Sequence, residues 1–254
     1  MAETTAITWA TATWNPWMGC HKVSKACAHC YIYRDMAHYG RNPNTVVRAA
    51  PATFGNPLKW TQNGKVAPGA RIFTCSWSDF FIAEADPWRA EAWTIIRQTP
   101  QFWYLVLTKR IERVAECLSP DWGNGYPNVA LGVTVENERH LGRVEALAQI
   151  PAVVKFTSEE PSLGPVALDE LNRGLHWRIT GGESGAGCRT SEIDSFRLTR
   201  DECARYGVAY FHKQNGGRRK ADGVWGGASY DDRTYAELPQ ALRGLPVWPD
   251  REEH

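Results

Sequence analysis

Short runs of β-branched and aromatic residues recur along the chain, and each run ends in polar residues. The six clearest runs are RIFTCSWSD (71–79), WYLVLTKR (103–110), NVALGVTVEN (128–137), AVVKFTSEE (152–160), WRITGGES (177–184) and VAYFHKQN (208–215). Such a run is typical of a buried strand whose carboxyl end carries chemistry. The pattern therefore predicts six strands, and we expect a seventh before Cys20.

Segments with helical spacing lie between these runs. They are PWRAEAWTIIRQT, which begins at Pro87, then RIERVAECL, ENERHLGRVEALAQI, and SEIDSFRLTRDECARYG, which ends at Gly207. Proline suits the first turn of a helix and glycine suits its end. Because strands and helices alternate, the sequence predicts an α/β fold of about seven βα units, with a parallel sheet rolled into a full or partial TIM-like (β/α) barrel. An open, doubly wound sheet is the alternative.

Length and composition fit one domain. The chain has 254 residues, of which 43% are hydrophobic and 22% are charged, and this suffices for a single large core. We expect one barrel domain over residues 1–254, with a cysteine loop at about 18–31 and a C-terminal extension from about 214. No apolar run approaches the ~18 residues of a membrane span and the N-terminus lacks a secretion-signal pattern, so we expect a cytoplasmic protein with no membrane contact.

Polar strand ends converge in such a barrel, because active sites form at the carboxyl ends of the strands. The residues expected to ring this mouth are Ser76, Asp79, Thr108, Lys109, Thr134, Glu136, Ser158, Glu159, Gly181, Gly182, Glu183, His212 and Lys213. We expect them to bind a cofactor or cosubstrate. Helix capping or simple solvation is the alternative for any single member.

Three cysteines, Cys20, Cys27 and Cys30, lie within eleven positions directly before a helical pattern. In a reducing compartment such a group indicates metal or redox chemistry and not disulfides. Three thiolates can bind three irons of a [4Fe–4S] cluster and leave the fourth iron open to a ligand such as S-adenosylmethionine. Zinc is the main alternative, because a histidine of the same segment could complete a tetrahedral site.

A local basic patch follows the last predicted strand. The net charge of +1 gives no bulk attraction to nucleic acids, so any such binding requires a patch of this kind. Arg218, Arg219 and Lys220 lie shortly before Trp225, and cations suit phosphates while an indole suits a stacked base. We expect residues 213–227 to form a mobile flap beside the mouth, and a solvated loop is the alternative.

The stretch TATWNPWMGCHKVSKACAHCY, followed in order by VTVEN, KFTSEEPSLGP, ITGGESG, FHKQNGG and YDDRTYAELP, resembles the phage gene-product 37/68 family, also called the domain-of-unknown-function 5131 family. The similarity extends from about Thr11 to Pro239. Members occur in phages, prophages and bacteria. In its cysteine motif and predicted barrel the family is similar to radical S-adenosylmethionine enzymes, although their usual motif has three residues between its first two cysteines, where this chain has six.

The resemblance implies a barrel of the radical S-adenosylmethionine type in which Cys20, Cys27 and Cys30 hold a [4Fe–4S] cluster. It also implies S-adenosylmethionine as cosubstrate, and we expect an electron donor such as flavodoxin or ferredoxin. From their positions after strands, we expect Lys109 to meet the cosubstrate carboxylate and Glu136 to accept hydrogen bonds from its ribose or amine. The alternatives are a solvated lysine at a helix start and a carboxylate at a helix N-terminus. The expected enzyme cleaves S-adenosylmethionine and abstracts hydrogen from a substrate for which a nucleotide or nucleic acid is the leading expectation. The alternative is a zinc-stabilised nucleic-acid-binding module without catalysis.

Overall fold

A seven-stranded parallel sheet forms the centre of the computed structural model, which describes residues 3–248. Its strands are β1 (Ala12–Trp14), β2 (Arg71–Thr74), β3 (Trp103–Thr108), β4 (Val129–Thr134), β5 (Val154–Glu159), β6 (Trp177–Gly181) and β7 (Ala209–Gln214). Neighbouring strands follow chain order, and every pair is parallel. A doubly wound sheet would reverse its order at a switch point. The order here never reverses, and the sheet curls into a half-barrel, so the partial form of the predicted barrel is confirmed.

Helices connect most of the strands, as the alternating pattern predicts. They are α1 (Tyr31–His38), α2 (Pro51–Phe54), α3 (Asn56–Asn63), α4 (Asp86–Gln98), α5 (Val114–Cys117), α6 (Gly142–Gln149) and α7 (Ile193–Tyr206). Short 3₁₀ turns occupy Lys25–His29, Ala83–Ala85, Ile111–Arg113, Glu138–His140, Asp169–Gly174 and Gln240–Arg243. Helix α7 ends at Gly207 in the left-handed conformation, as the sequence predicts.

The two faces of the sheet pack against different partners. Along β3, Trp103 and Leu105 point to the concave face, whereas Tyr104 and Val106 point to the helices. This alternation follows from the two-residue period of a strand. Large aromatic side chains fill the concave face of the sheet. The interior of the half-barrel is therefore a packed core, and a ligand site has room only at the ends of the strands.

Three two-stranded antiparallel ribbons lie outside the central sheet. They pair Trp17–Met18 with Val47–Arg48, Lys220–Ala221 with Val224–Trp225, and Ser229–Tyr230 with Arg233–Thr234. After the last ribbon the chain returns along the open edge of β7, where the Tyr235 carbonyl accepts from the His212 amide. None of the helices in the described residues has the length and apolar character required to cross a membrane.

Candidate active site

A cavity of about 400 Å³ lies at the carboxyl ends of the strands, and Cys20, Cys27 and Cys30 all line it. The predicted mouth residues that also line it are Ser76, Asp79, Thr108, Lys109, Thr134, Ser158, Gly182, Glu183 and Lys213. The structure therefore brings most of the predicted residues to one cavity.

The cysteine loop, residues 19–30, needs glycine at its start. Gly19 has φ +99°, and a Cβ there would lie 2.3 Å from the Thr45 carbonyl oxygen. The 3₁₀ turn Lys25–His29 carries Cys27, and α1 begins directly after Cys30. All three thiols of the loop are free and half-buried. The loop thus presents three unpaired thiols to the cavity.

A buried ion pair holds the Cys20 end of the loop. Arg110 Nη1 lies 3.1 Å from Asp79 Oδ2, and both side chains are less than 9% exposed. The same guanidinium donates to the His21 carbonyl at 2.9 Å and lies 3.8 Å from Cys20 Sγ. The Thr108 hydroxyl and the Lys109 and Phe81 amides also donate to Asp79. Asp79 therefore acts on the loop through Arg110, and its carboxylate is already satisfied.

Glu136 holds the middle of the loop. The Ser24 hydroxyl donates to Glu136 Oε1 at 2.6 Å and lies 3.8 Å from Cys27 Sγ. Arg143 donates to the other carboxylate oxygen at 2.9 Å. Burial acts to raise the pKa of Glu136, but Lys109, Ser24 and Arg143 outweigh it and hold the pKa below its usual value. This carboxylate is engaged by the protein itself, and it does not line the cavity.

Glu183 holds the far end of the loop. Arg189 forms a two-pronged ion pair with this carboxylate and also donates to the Lys25 carbonyl at 2.9 Å. His29 Nδ1 lies 3.2 Å from Glu183 Oε2. Three acidic side chains from three strand ends thus position the loop. In this structure Asp79, Glu136 and Glu183 contact the loop or its anchors.

The three thiols differ in acidity. Burial raises the pKa of Cys20 to about 11 and also raises the pKa of Cys30. Burial acts on Cys27 in the same direction, but the Lys109 ammonium and hydrogen bonds from the loop backbone outweigh it, and its pKa lies below the usual value. Among the three loop thiols, Cys27 is therefore the one whose thiolate form is most favoured.

Cys75 also borders the cavity, but it belongs to the core. Its side chain is 3% exposed among buried aromatic residues, and burial raises its pKa well above the usual value. The described cysteines outside the loop and away from this cavity include Cys117 in α5 and Cys203 in α7, both buried. Cys75, Cys117 and Cys203 are therefore core thiols.

Two of the predicted mouth residues point away from the cavity. Glu159 lies in a buried network with Arg178, whose Nη2 is 2.7 Å from Glu159 Oε1, and with the Thr199 hydroxyl. His212 hydrogen-bonds to the Thr180 hydroxyl and packs against Phe196. Both side chains face the helices because strand residues alternate between faces. Neither Glu159 nor His212 lies where it could contact a ligand of this cavity.

The paired glycines serve packing. A Cβ at Gly182 would lie 2.0 Å from the Asn215 carbonyl oxygen, so this position permits close approach of the two chain segments. A Cβ at Gly181 would lie 2.8 Å from Glu160 Oε1, and Gly181 itself does not line the cavity. Gly181 therefore leaves room for the carboxylate of Glu160, a cavity residue that the sequence analysis missed.

The predicted flap, residues 213–227, contains a hairpin beside the cavity, residues 216–227, which we call the rim hairpin. Lys220 and Trp225 line the cavity, and the Lys220 ammonium lies 5.4 Å from the Trp225 ring centre. Backbone hydrogen bonds join Gly216 to Trp225, and Gly217 to Glu183. These bonds fix the base of the hairpin against the loop that follows β6.

The geometry of the thiols bears on which metal group would fit. No three histidine, cysteine, aspartate or glutamate side chains in residues 3–248 are grouped so that they could hold a metal ion. Tetrahedral zinc requires four ligands converging on one atom. In an iron–sulfur cluster each thiolate binds a different iron, so the ligand sulfurs lie further apart than they do around a single ion. The three loop cysteines all line one cavity.

Comparison with known proteins gives a family and no relative of defined activity. A family model described as a protein of unknown function, DUF5131, matches residues 4–239. The chain therefore belongs to the DUF5131 family. Neither the curated proteins nor the solved structures gave a match.

Proposed function

We propose that this member of the DUF5131 family is a radical S-adenosylmethionine-type enzyme in which Cys20, Cys27 and Cys30 hold a [4Fe–4S] cluster. One observation carries the proposal: three free thiols of a single anchored loop face one cavity, together with polar residues from several strand ends. Three ligands suit a cluster that keeps one iron open. When bound, such a cluster supplies single electrons, and with S-adenosylmethionine this chemistry yields a radical able to abstract hydrogen from a substrate.

The residues around the thiols support a charged cluster. Thiolates in a half-buried cavity need compensating positive charge, and Lys109 and Arg110 provide it from the end of β3. Arg110 is committed to Asp79, whereas the Lys109 ammonium donates only to the Thr134 hydroxyl, at 3.2 Å, among the described hydrogen bonds. We therefore retain Lys109 as the candidate for the cosubstrate carboxylate. Glu136 becomes a loop-positioning residue in this proposal.

Cationic side chains surround the outer face of the cysteine loop. The exposed ones are Lys22, Lys25, Arg34 and Arg41. Of the acidic residues beside them, Asp35 is paired with Arg34 and Glu84 with His21. Such a surface favours an acidic partner. It supports the expectation of an acidic electron donor such as flavodoxin or ferredoxin, which would approach over the loop.

The proposal is tested by isolating the protein without oxygen and measuring iron, acid-labile sulfide and zinc. We expect about four irons and about four sulfides per chain, because a three-thiolate [4Fe–4S] site is proposed. Adding S-adenosylmethionine to the reduced protein should change the EPR spectrum of the cluster and slowly yield 5′-deoxyadenosine. Stoichiometric zinc without sulfide would instead support a zinc-stabilised module.

Lys109→Ala provides the matched test of the cosubstrate site. It should weaken the spectral response to S-adenosylmethionine and leave the iron content unchanged. Lys65→Met is the control, since Lys65 is exposed and does not line the cavity. If the wild-type protein has a full cluster and its EPR spectrum does not change when S-adenosylmethionine is added, the enzyme assignment is contradicted. Simple electron transfer would then be favoured.

A further inference from the structure

One carboxylate oxygen of Glu160 accepts no hydrogen bond within the part of the chain that the structure describes. The other, Oε2, accepts from the Trp9 indole at 3.1 Å and from the Ser158 hydroxyl at 3.3 Å. Oε1 is buried, and its partner is the Lys213 ammonium at 3.1 Å, an ion pair without hydrogen-bond alignment. Buried acceptors are nearly always hydrogen-bonded. Because Glu160 lines the cavity, the remaining acceptor capacity of this oxygen suits a ligand that donates a hydrogen bond.

Lys213 adds a donor beside this acceptor. Its ammonium lies 3.1 Å from Glu160 Oε1, close enough for an ion pair but without the alignment of a hydrogen bond. The side chains are 23% and 14% exposed, and both residues line the cavity. Lysine has three donors. The pair thus offers one acceptor and at least one donor, side by side, to a ligand in the cavity.

The rim hairpin carries three cations, of which Lys220 lines the cavity and Arg218 and Arg219 directly precede it in the chain. Arg218, Arg219 and Lys220 are exposed, and among residues 3–248 no carboxylate forms an ion pair with any of the three. Most other arginines of the described chain are paired with acidic side chains, as Arg189 and Arg197 are. Unpaired cations beside Trp225 suit an anionic ligand with an aromatic part.

We propose that the Glu160–Lys213 pair and the rim hairpin form a subsite for a nucleotide, with the base on the pair and the phosphate on the hairpin. The Watson–Crick edge of every nucleobase carries a hydrogen-bond donor next to an acceptor, which complements the carboxylate oxygen and the ammonium. The Trp225 indole lines the same cavity and offers a surface for stacking. The inference deepens and rests on the proposed function, since it places the substrate in the cavity that the cysteines line.

Calorimetric titration of the purified protein with AMP, GMP, CMP and UMP tests the subsite without using activity. We expect at least one of them to bind, and Glu160→Gln and Lys213→Met each to weaken that binding by at least about ten-fold, because each removes a charged partner. Glu116→Gln and Lys65→Met, at exposed positions outside the cavity, should bind like the wild type. Unchanged thermal unfolding of the variants would show that they are folded.

Further arms of the titration identify what the subsite takes. Ribose 5-phosphate lacks the base and glycine carries only an amino acid's charged groups, so both should bind more weakly than the nucleotide. Single-stranded and duplex oligonucleotides across a salt series distinguish a free nucleotide from one within a nucleic acid. The triple variant Arg218→Ala, Arg219→Ala, Lys220→Ala should lower the salt slope by about one for each phosphate that these cations neutralise in the wild type.

The inference is overturned if no nucleotide or oligonucleotide binds, if ribose 5-phosphate or glycine binds as tightly as the nucleotide, or if both cavity variants bind like the wild type. Repeating the titration with Cys27→Ala shows whether nucleotide binding depends on the cluster. Nucleotide binding retained in a protein without iron would support the subsite even if the cluster proposal failed. Iron without nucleotide binding would leave the cluster standing and remove the subsite.

Discussion

Two groups of charged side chains around the cavity are used in different ways. On the wall formed by the cysteine loop and the residues that anchor it, Asp79, Glu136 and Glu183 are each paired with an arginine and connected to the loop. Elsewhere in the cavity Glu160 has one oxygen whose only partner is the Lys213 ammonium, and the cations of the rim hairpin have no acidic partner among the described residues. The carboxylates around the loop therefore use their hydrogen-bonding capacity within the chain. The second group of charged side chains keeps capacity for a ligand.

This difference changes how the acidic residues of the mouth should be interpreted. A carboxylate whose lone pairs are satisfied by the protein must give up those bonds before it can bind a ligand, and each loss is costly in a buried site. The strand-end carboxylates beside the cysteines are thus positioning groups. Glu160, with spare acceptor capacity, is the better candidate for ligand contact.

The largest expected effect is loss of the metal cluster when a loop cysteine is replaced. Replacing any one of Cys20, Cys27 or Cys30 with Ala should remove the cluster, and the iron content should fall from about four per chain towards zero, because two thiolates hold a cluster poorly. Iron and sulfide analysis of anaerobically isolated variants measures this. Lys213→Met changes a cavity residue outside the cysteine loop and should keep the full iron content.

Three other cysteines supply matched controls for that loss. Cys75→Ala, Cys117→Ala and Cys203→Ala remove buried core thiols and should retain the iron. Loss of iron in Cys75→Ala alone would show that the cluster has a fourth protein ligand and no open iron. Equal loss in all six variants would show that the ligand assignment itself is wrong.

How much of this arrangement the sequence can predict depends on the range of each interaction. The strands were predictable because β-branched and aromatic runs are local, and their alternation with helices indicated the curled parallel sheet. The hydrogen bond from Ser24 to Glu136 spans 112 positions and has no local signal. The hydrogen bond from Arg189 to the Lys25 carbonyl spans 164 positions and has none either. The cysteine motif could be seen, but its anchors could not.

Adjacent residues at strand ends show a second limit. Glu159 and Glu160 are the same residue type at adjacent positions. Glu159 nevertheless faces the helices and binds Arg178, whereas Glu160 faces the cavity. His212 and Lys213 differ in the same way. A one-residue shift exchanges the two faces of a strand, so the choice depends on where the strand ends. The polar run at the end of a strand predicts a site but does not say which members face it.

An intermediate effect compares the two cation–carboxylate pairs directly. Arg110→Met should lower the free energy of unfolding by about 3–5 kcal/mol, because it leaves Asp79 buried without its counter-charge. Lys213→Met should cost less than about 1 kcal/mol, because its pair is partly exposed and poorly aligned. Urea unfolding of both variants measures the contrast. Equal costs would mean that the Glu160–Lys213 pair is as structural as its counterpart.

The smallest expected effect concerns Ser24, which anchors the loop to Glu136. Ser24→Ala should lower the free energy of unfolding at pH 7 by about 1.5–3 kcal/mol, the value of a hydrogen bond to a charged group. The pKa of Glu136 is lowered in the folded protein, so its interactions stabilise fully above the unfolded value of about 4.3 and are lost as the pH falls through the lower folded value. The cost of Ser24→Ala should therefore shrink as the pH is lowered below about 4, whereas Ser229→Ala, at an exposed serine, should cost little at any pH. A cost that does not change with pH would mean that the Ser24 hydroxyl stabilises the loop by some interaction other than the one with the Glu136 carboxylate.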